Sequence, residues 1–359
     1  MEKCQTLAVP PNAAAAINFT RKKDKSALRK PIFLAKDKPS PRSLSLPTLA
    51  PFPVPCPGVP NLVIHAPLDI TVRIGCHIVY EAITPTPVLL ILKPRISTGQ
   101  VICEEKLTFG PGLSPEEFED VHGNIVHRAT LRQGLNEFHH DALVAVSSLP
   151  DTLNRNGEPL AVDELPAELL RYTLPSRYCD SDKLLDFAWM NFGHIPHGFV
   201  RVQAISDWVH HHIEYRHGSG RSDISASEVI ACRYGVCRDF AHVMIALCRA
   251  FNIPARYVTG HLPDIGCPDS SMDFHAYMEV HIGGKWHTCD ARFNCPRIGR
   301  VKIAHGLDAV DAAITTLYGA ASLHSFEVWA YQVNPKEVSI ADPIDLSKRL
   351  DGVMEVQHV

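Results

Sequence analysis

The spacing of apolar positions changes character along the chain. Between about residues 61 and 160 it follows the period of a strand. Ile70, Val72, Ile74, Cys76, Ile78 and Tyr80 alternate with mostly polar neighbours, which gives that segment one apolar face and one wet one. Val88 to Leu92 is a continuous apolar run bounded by prolines, consistent with a buried strand. Residues 124–131 and 142–146 add two further candidates. Glycines and asparagines near 110–112, 123–124 and 156–157 supply the turns between them. Short strands at this spacing predict a sandwich or partial barrel.

From about residue 165 the period lengthens to that of a helix. Val200, Ala204, Ile205, Trp208, Val209 and Ile213 place a helix over residues 199–215. Ser225 followed by Glu228 is a capping box that opens a short helix to about Tyr234. Phe240, Val243, Met244, Leu247 and Phe251 form an apolar stripe on a helix over 237–251. Arg249 sits in its last turn, and Pro254 forbids continuation. Strands are expected at 255–259, 274–281 and 285–290. Helices first and an antiparallel sheet afterwards is an α+β plan.

Composition divides the chain differently. Residues 1–60 hold 11 of the 28 prolines, with 10 Lys/Arg against 3 Asp/Glu. They read as a disordered, basic extension, without the apolar h-region of a secretory signal. The expected organisation is therefore an extension over 1–60, a β-rich domain over 61–165, a catalytic domain over 166–335 and a tail over 336–359. No run of 18 apolar residues is present, so no membrane span is expected. The net charge of −4 argues against a nucleic-acid binder that relies on bulk positive charge. Eleven cysteines with no CxxC pair fit reduced thiols, and hence a cytoplasmic setting, better than a disulfide framework.

One of those cysteines stands in a special place. Cys237 follows Gly235-Val236 and opens the apolar helix. Free N–H groups and the macrodipole at a helix N-terminus favour negative charge, which tilts a thiol toward its nucleophilic form. A cysteine nucleophile needs a base, and the base an orienting group. Gly283-Gly284 is a two-residue hairpin signal. With Ile282 opposite Lys285, His275 faces Arg292 and Asp290 faces Tyr277. His275 and Asp290 then share a face one diagonal step apart. Asp290 there is expected to accept the Nδ1–H of His275 and fix its tautomer.

These residues carry a resemblance. Arg233-Tyr-Gly-Val-Cys237-Arg-Asp-Phe-Ala-His, with Asn252-Ile-Pro-Ala-Arg256 downstream, resembles the transglutaminase-like superfamily. Asp273-Phe-His275-Ala-Tyr277 and Trp286-His-Thr-Cys-Asp290 do as well. Residues 291–300, 76–80 and 87–92 are similar to bacterial members that carry a β-rich N-terminal domain. The resemblance implies a papain-like core of helices packed on an antiparallel sheet, preceded by a β-sandwich-like domain. It implies a Cys237–His275–Asp290 triad and thiol-mediated acyl transfer on a protein or peptide substrate, with no cofactor. Hydrolysis is favoured over transamidation, because no acceptor-amine tunnel or calcium loop is identified. A silent binding or scaffold protein is the other reading.

Other residues are weighed against simpler roles. Arg238 is a candidate for binding an acidic substrate group. Asp239, Trp208 and Tyr277 are further cleft candidates, although Trp208 also reads as core. Cys248 and Cys289 read as packing. Cys232 forms only a weak C-x4-C pair with Cys237, and a metal hydrolase built on it is a minor alternative. His210, His211 and His212 diverge by about 100° per residue around a helix, and no HExxH occurs, so no metal site is expected. His139-His140-Asp141 reads as a surface patch. His242 reads as a hydrogen-bonded core residue. Residues 262–272 are expected to border the cleft.

Overall fold

A computed structural model describes residues 67–97, 99–151, 157–266 and 273–351. The expected disorder of 1–60 lies outside the described residues, as do positions 267–272 of the segment expected beside the cleft. The described residues form one compact unit.

The N-terminal half is a sandwich. Its strands are β1 (Ile70–Ala82), β2 (Thr86–Leu90), β3 (Gln100–Phe109), β4 (Glu116–Glu119), β5 (Ile125–Leu131) and β6 (Gly134–Val146). The helical half follows with α1 (Ala167–Leu170), α2 (Leu185–Phe192), α3 (Phe199–His212), β7 (Glu214–Tyr215), α4 (Ala226–Cys232), β8 (Tyr234–Gly235) and α5 (Cys237–Arg249). Then come β9 (Ala255–His261), β10 (Phe274–Ile282), β11 (Lys285–Cys289), β12 (Val301–Gly306), β13 (Thr315–Leu317) and β14 (Ala321–Val333). The strands assemble into sheets ordered β14-β1-β6-β3, β13-β2-β5-β4 and β11-β10-β9-β12, all antiparallel, with β7 and β8 as a short parallel pair.

The first two sheets share a core in which Cys76 and Ile78 of β1 and Phe138 of β6 meet Val88, Leu90 and Leu131 of β2 and β5. This is the burial that the alternation along β1 demands. The third sheet carries α5. Val243, Met244 and Leu247 on the helix pack against Ala276, Met278 and Val280 of β10. The α+β class with an N-terminal sandwich is thus observed directly.

Several expectations change. The segment from Thr315 to Val333, expected with the catalytic half, returns to the sandwich. β13 pairs with β2, and β14 runs along the whole of β1. The expected tail folds back too. Val338 is buried against Leu143, Trp329 and Tyr331. β3 escapes the sequence reading because it is an edge strand with much of its surface exposed, so little burial imposes alternation on it. His139-His140-Asp141 is not a surface patch. β6 lies between β1 and β3, and His140 and Asp141 are buried. Both Asp141 oxygens are occupied, by Arg73 at 3.1 and 2.7 Å and by Trp329 Nε1 at 3.1 Å. Among the described residues, no helix is long and apolar enough to cross a membrane.

Candidate active site

Local geometry explains why Cys237 opens α5. The carboxylate of Asp239 turns back and accepts the N–H of Val236 at 3.0 Å, capping the helix start. Gly235 makes room for that cap, since a Cβ there would stand 2.7 Å from the Cβ of Asp239. The N–H of Cys237 belongs to the first turn, where no intrahelical acceptor exists.

His275 enters at the start of β10. The Gly283-Gly284 turn sets the expected register, with Ile282 opposite Lys285 and Met278 opposite Cys289. β11 ends at Cys289. The chain then turns, with the Asn294 N–H donating to the Asp290 carbonyl at 2.8 Å. Asp290 therefore does not sit opposite Tyr277 in the ladder. Freed from the strand, its carboxylate reaches His275 directly, 2.7 Å from Nε2. The expectation of an Nδ1 contact is corrected. With Nε2 committed to Asp290, Nδ1 is the ring nitrogen left for Cys237, which lines the same cleft as His275. Burial alone disfavours the imidazolium. The Asp290 charge and hydrogen bond, together with Cys237, outweigh it and push the His275 pKa up to about 9.

Two residues not singled out from the sequence complete this arrangement. Arg300 donates from Nη2 to the same Asp290 oxygen at 2.8 Å and from Nε to Asp151 at 2.7 Å. Its cation also lies 4.6 Å from the Tyr277 ring centroid. Burial opposes ionisation of Asp290, but His275 and Arg300 together hold it well below the usual carboxylate range. Asp151 is fixed in turn by backbone bonds with Arg297, at 2.9 and 3.2 Å. Nothing local marks either residue. Asp151 is 139 positions away from Asp290, and only the fold joins them. Phe293 packs on the His275 ring at 5.3 Å.

The remaining candidates divide. Arg238 lines the cleft with Cys237 and His275, but its Nε and Nη2 are held by Asp239 at 3.0 and 2.8 Å, and Nη2 also reaches the Arg221 carbonyl. Asp239 is fully buried and acts as a helix cap, so it is not a cleft group. Trp208 lies away from the cleft, stacked on His212 at 4.5 Å and edge-on to Phe187 at 5.3 Å. Tyr277 is buried beside His275, with near-parallel rings 6.2 Å apart. The Nδ1 atoms of His210, His211 and His212 each pair with a separate backbone carbonyl. Cys248 and Cys289 are core residues. His242 is buried and accepts the Ala309 N–H at 3.2 Å. Burial holds its pKa well below the ordinary value.

A thiol at a helix N-terminus, an imidazole beside it and a carboxylate behind the imidazole define a cysteine-based site on a papain-like core. The transglutaminase-like superfamily profile matches residues 194–291. A candidate cysteine protease of known structure from Cytophaga hutchinsonii is 36% identical, with a TM-score of 0.69, over 74% of this chain and 91% of that one. An uncharacterized protein of Mycobacterium leprae is 24% identical over 55% of this chain and 73% of its own length. One of Mycobacterium tuberculosis is 30% identical over 48% of this chain, which spans 58% of that relative. The chain belongs to the transglutaminase-like superfamily.

Proposed function

We propose that this protein cleaves an amide bond by cysteine-dependent acyl transfer. The observation that carries the reading is His275, bonded to Asp290 and lining one cleft with Cys237. His275 takes the thiol proton, giving a thiolate–imidazolium pair. Cys237 Sγ attacks the carbonyl carbon, and the C–O π electrons move onto oxygen. The Cys237 N–H at the positive end of α5 faces the resulting oxyanion. His275 gives its proton to the amide nitrogen, the C–N bond breaks and an amine leaves. Water then attacks the thioester while His275 takes its proton. The C–S bond breaks, releasing a carboxylic acid and restoring the thiolate–imidazolium pair.

The cleft at Cys237 has a volume of about 700 Å³, which admits water to the thioester, and hydrolysis is the outcome we propose. The substrate we assign is a protein or peptide, acted on where thiols stay reduced, as in the cytoplasm. The experiment is a panel of peptide and glutamine-amide substrates, compared between the wild type and Cys237→Ala. Release of amine with stoichiometric acid, lost in the variant, is expected. Turnover that survives Cys237→Ala would refute the reading, and amine incorporation without acid would favour transamidation.

A further inference from the structure

The wall of the cleft facing Cys237 comes from an unexpected part of the chain. Residues 309–310 and 312–317 form it, and they end in β13, a strand of the sandwich. The sandwich therefore builds part of the site. This wall is anchored from behind. The Ala309 N–H is held by His242 on α5, and the Ala312 carbonyl accepts the Thr259 hydroxyl at 2.9 Å.

Two properties of the wall point to a ligand. The first is chemical. Ala312, Ala313, Ile314 and Leu317 face the cleft together with Phe274. No carboxylate lines it among the described residues, and the one arginine, Arg238, already pairs with Asp239. Small alanines leave volume that an apolar side chain can fill. The second is geometric. β13 is the end strand of its sheet. The Ile314 carbonyl accepts from the Ile91 N–H at 3.0 Å, and the Tyr318 N–H donates to the Pro87 carbonyl at 2.9 Å. Alternation in an antiparallel ladder turns Thr316 the same way. The N–H and C=O groups of Thr315 and Leu317 then point to the open edge, where an extended peptide can pair.

We propose that this wall recognises the substrate. A peptide docks in extended form along β13 and places an apolar side chain against Ala313, Ile314 and Phe274, with the neighbouring amide at Cys237. The proposal rests on the acyl-transfer reading and narrows its substrate class to segments with an apolar residue beside the cleaved bond.

The test measures binding of fluorescent hexapeptides to full-length Cys237→Ala protein by anisotropy, so that it does not depend on turnover. Peptides with Leu or Phe at the central position are expected to bind at least about tenfold tighter than those with Glu, Lys or Gln, and N-methylation of a flanking amide should cost about tenfold. Adding Ala313→Phe should erase the side-chain preference, with folding checked by circular dichroism. Leu317→Ala should instead shift preference toward larger side chains. Equal affinities across the panel, no binding of any peptide, or a preference unchanged by both variants would overturn the proposal. Iodoacetamide labelling of the wild type reads the nucleophile separately. Slow Cys237 labelling with selective peptide binding would refute acyl transfer and leave the recognition surface standing. Fast labelling without selectivity would do the reverse.

Discussion

Two buried arginine–aspartate pairs occupy opposite halves of this protein, and they differ in what the aspartate does with its remaining valence. In the sandwich, Arg73 meets Asp141 at 2.7 Å, with side-chain exposures of 1% and 2%. The pair is closed. Trp329 takes the remaining contact to Asp141, and Arg73 spends other donors on the Asp342 and Pro343 carbonyls. In the helical half, Arg300 meets Asp290 at 2.8 Å with exposures of 6% and 3%. That pair is open. Its carboxylate also holds His275, which lines a cleft together with Cys237. Burial and ion pairing alone do not distinguish structure from chemistry, because both pairs have them. The third partner does, since Trp329 cannot titrate and His275 can.

The comparison breaks most sharply at the two aspartates. Asp290→Asn should lower amide hydrolysis by roughly 10³–10⁴-fold, because it removes the charge that stabilises imidazolium. The fold should survive, since Arg300 keeps Asp151. Asp141→Asn should do the opposite. It leaves a buried guanidinium without a counter-charge, and denaturant unfolding should show a loss of about 3–5 kcal/mol, with His275 still able to titrate. If Asp290→Asn destabilised as much while sparing activity, the two pairs would have to be regarded as equivalent.

A smaller effect probes the positioning role of Arg300 and Asp151. Displacement of Asp290 in Arg300→Gln should cost up to about 10²-fold in kcat/KM. The pH profiles carry the sharper signature. Removing the Arg300 cation strengthens the hold of Asp290 on imidazolium, so the alkaline limb should move up. Asp151→Asn leaves Arg300 less compensated, so the same limb should move down. Shifts in the same direction would refute the assignment.

A further effect is on stability. The His275 pKa rises on folding from 6.5 to about 9, so the native state binds the proton more tightly. Its contribution is fully present below about 6.5 and is lost as pH rises through about 9. Relative to Asp290→Asn, wild-type stability measured by urea unfolding should therefore decline across that window. No such decline is expected relative to Asp141→Asn.

What the sequence revealed of this site follows from the range of the interactions. The helix start at Cys237 and the hairpin register were readable because Gly235 and Gly283-Gly284 act locally. The contact through Nε2 was not, because β11 ends one residue early and Asp290 leaves the strand. Arg300 and Asp151 join the site through the tertiary fold and leave no periodic trace. The return of β14 to β1 was hidden for a related reason. The first residues of β14 are largely exposed, so they show no apolar face that would name a partner sheet. His140 and Asp141 were misread because polarity suggested a surface, whereas Arg73 and Trp329 satisfy the carboxylate inside.

On the proposed mechanism Cys237 is the activated nucleophile among the described thiols. Burial pushes Cys76, Cys179 and Cys248 up to about 12, which removes them from competition, whereas Cys103 and Cys232 are exposed and serve as controls. The direct measurement is the iodoacetamide labelling rate of each cysteine at about pH 6, read by mass spectrometry, where ordinary thiols with pKa of about 8.5 react slowly. Cys237 should label fastest, and Asp290→Asn should slow it toward the rate of Cys103 and Cys232. Labelling of Cys237 no faster than those two in the wild type would contradict it.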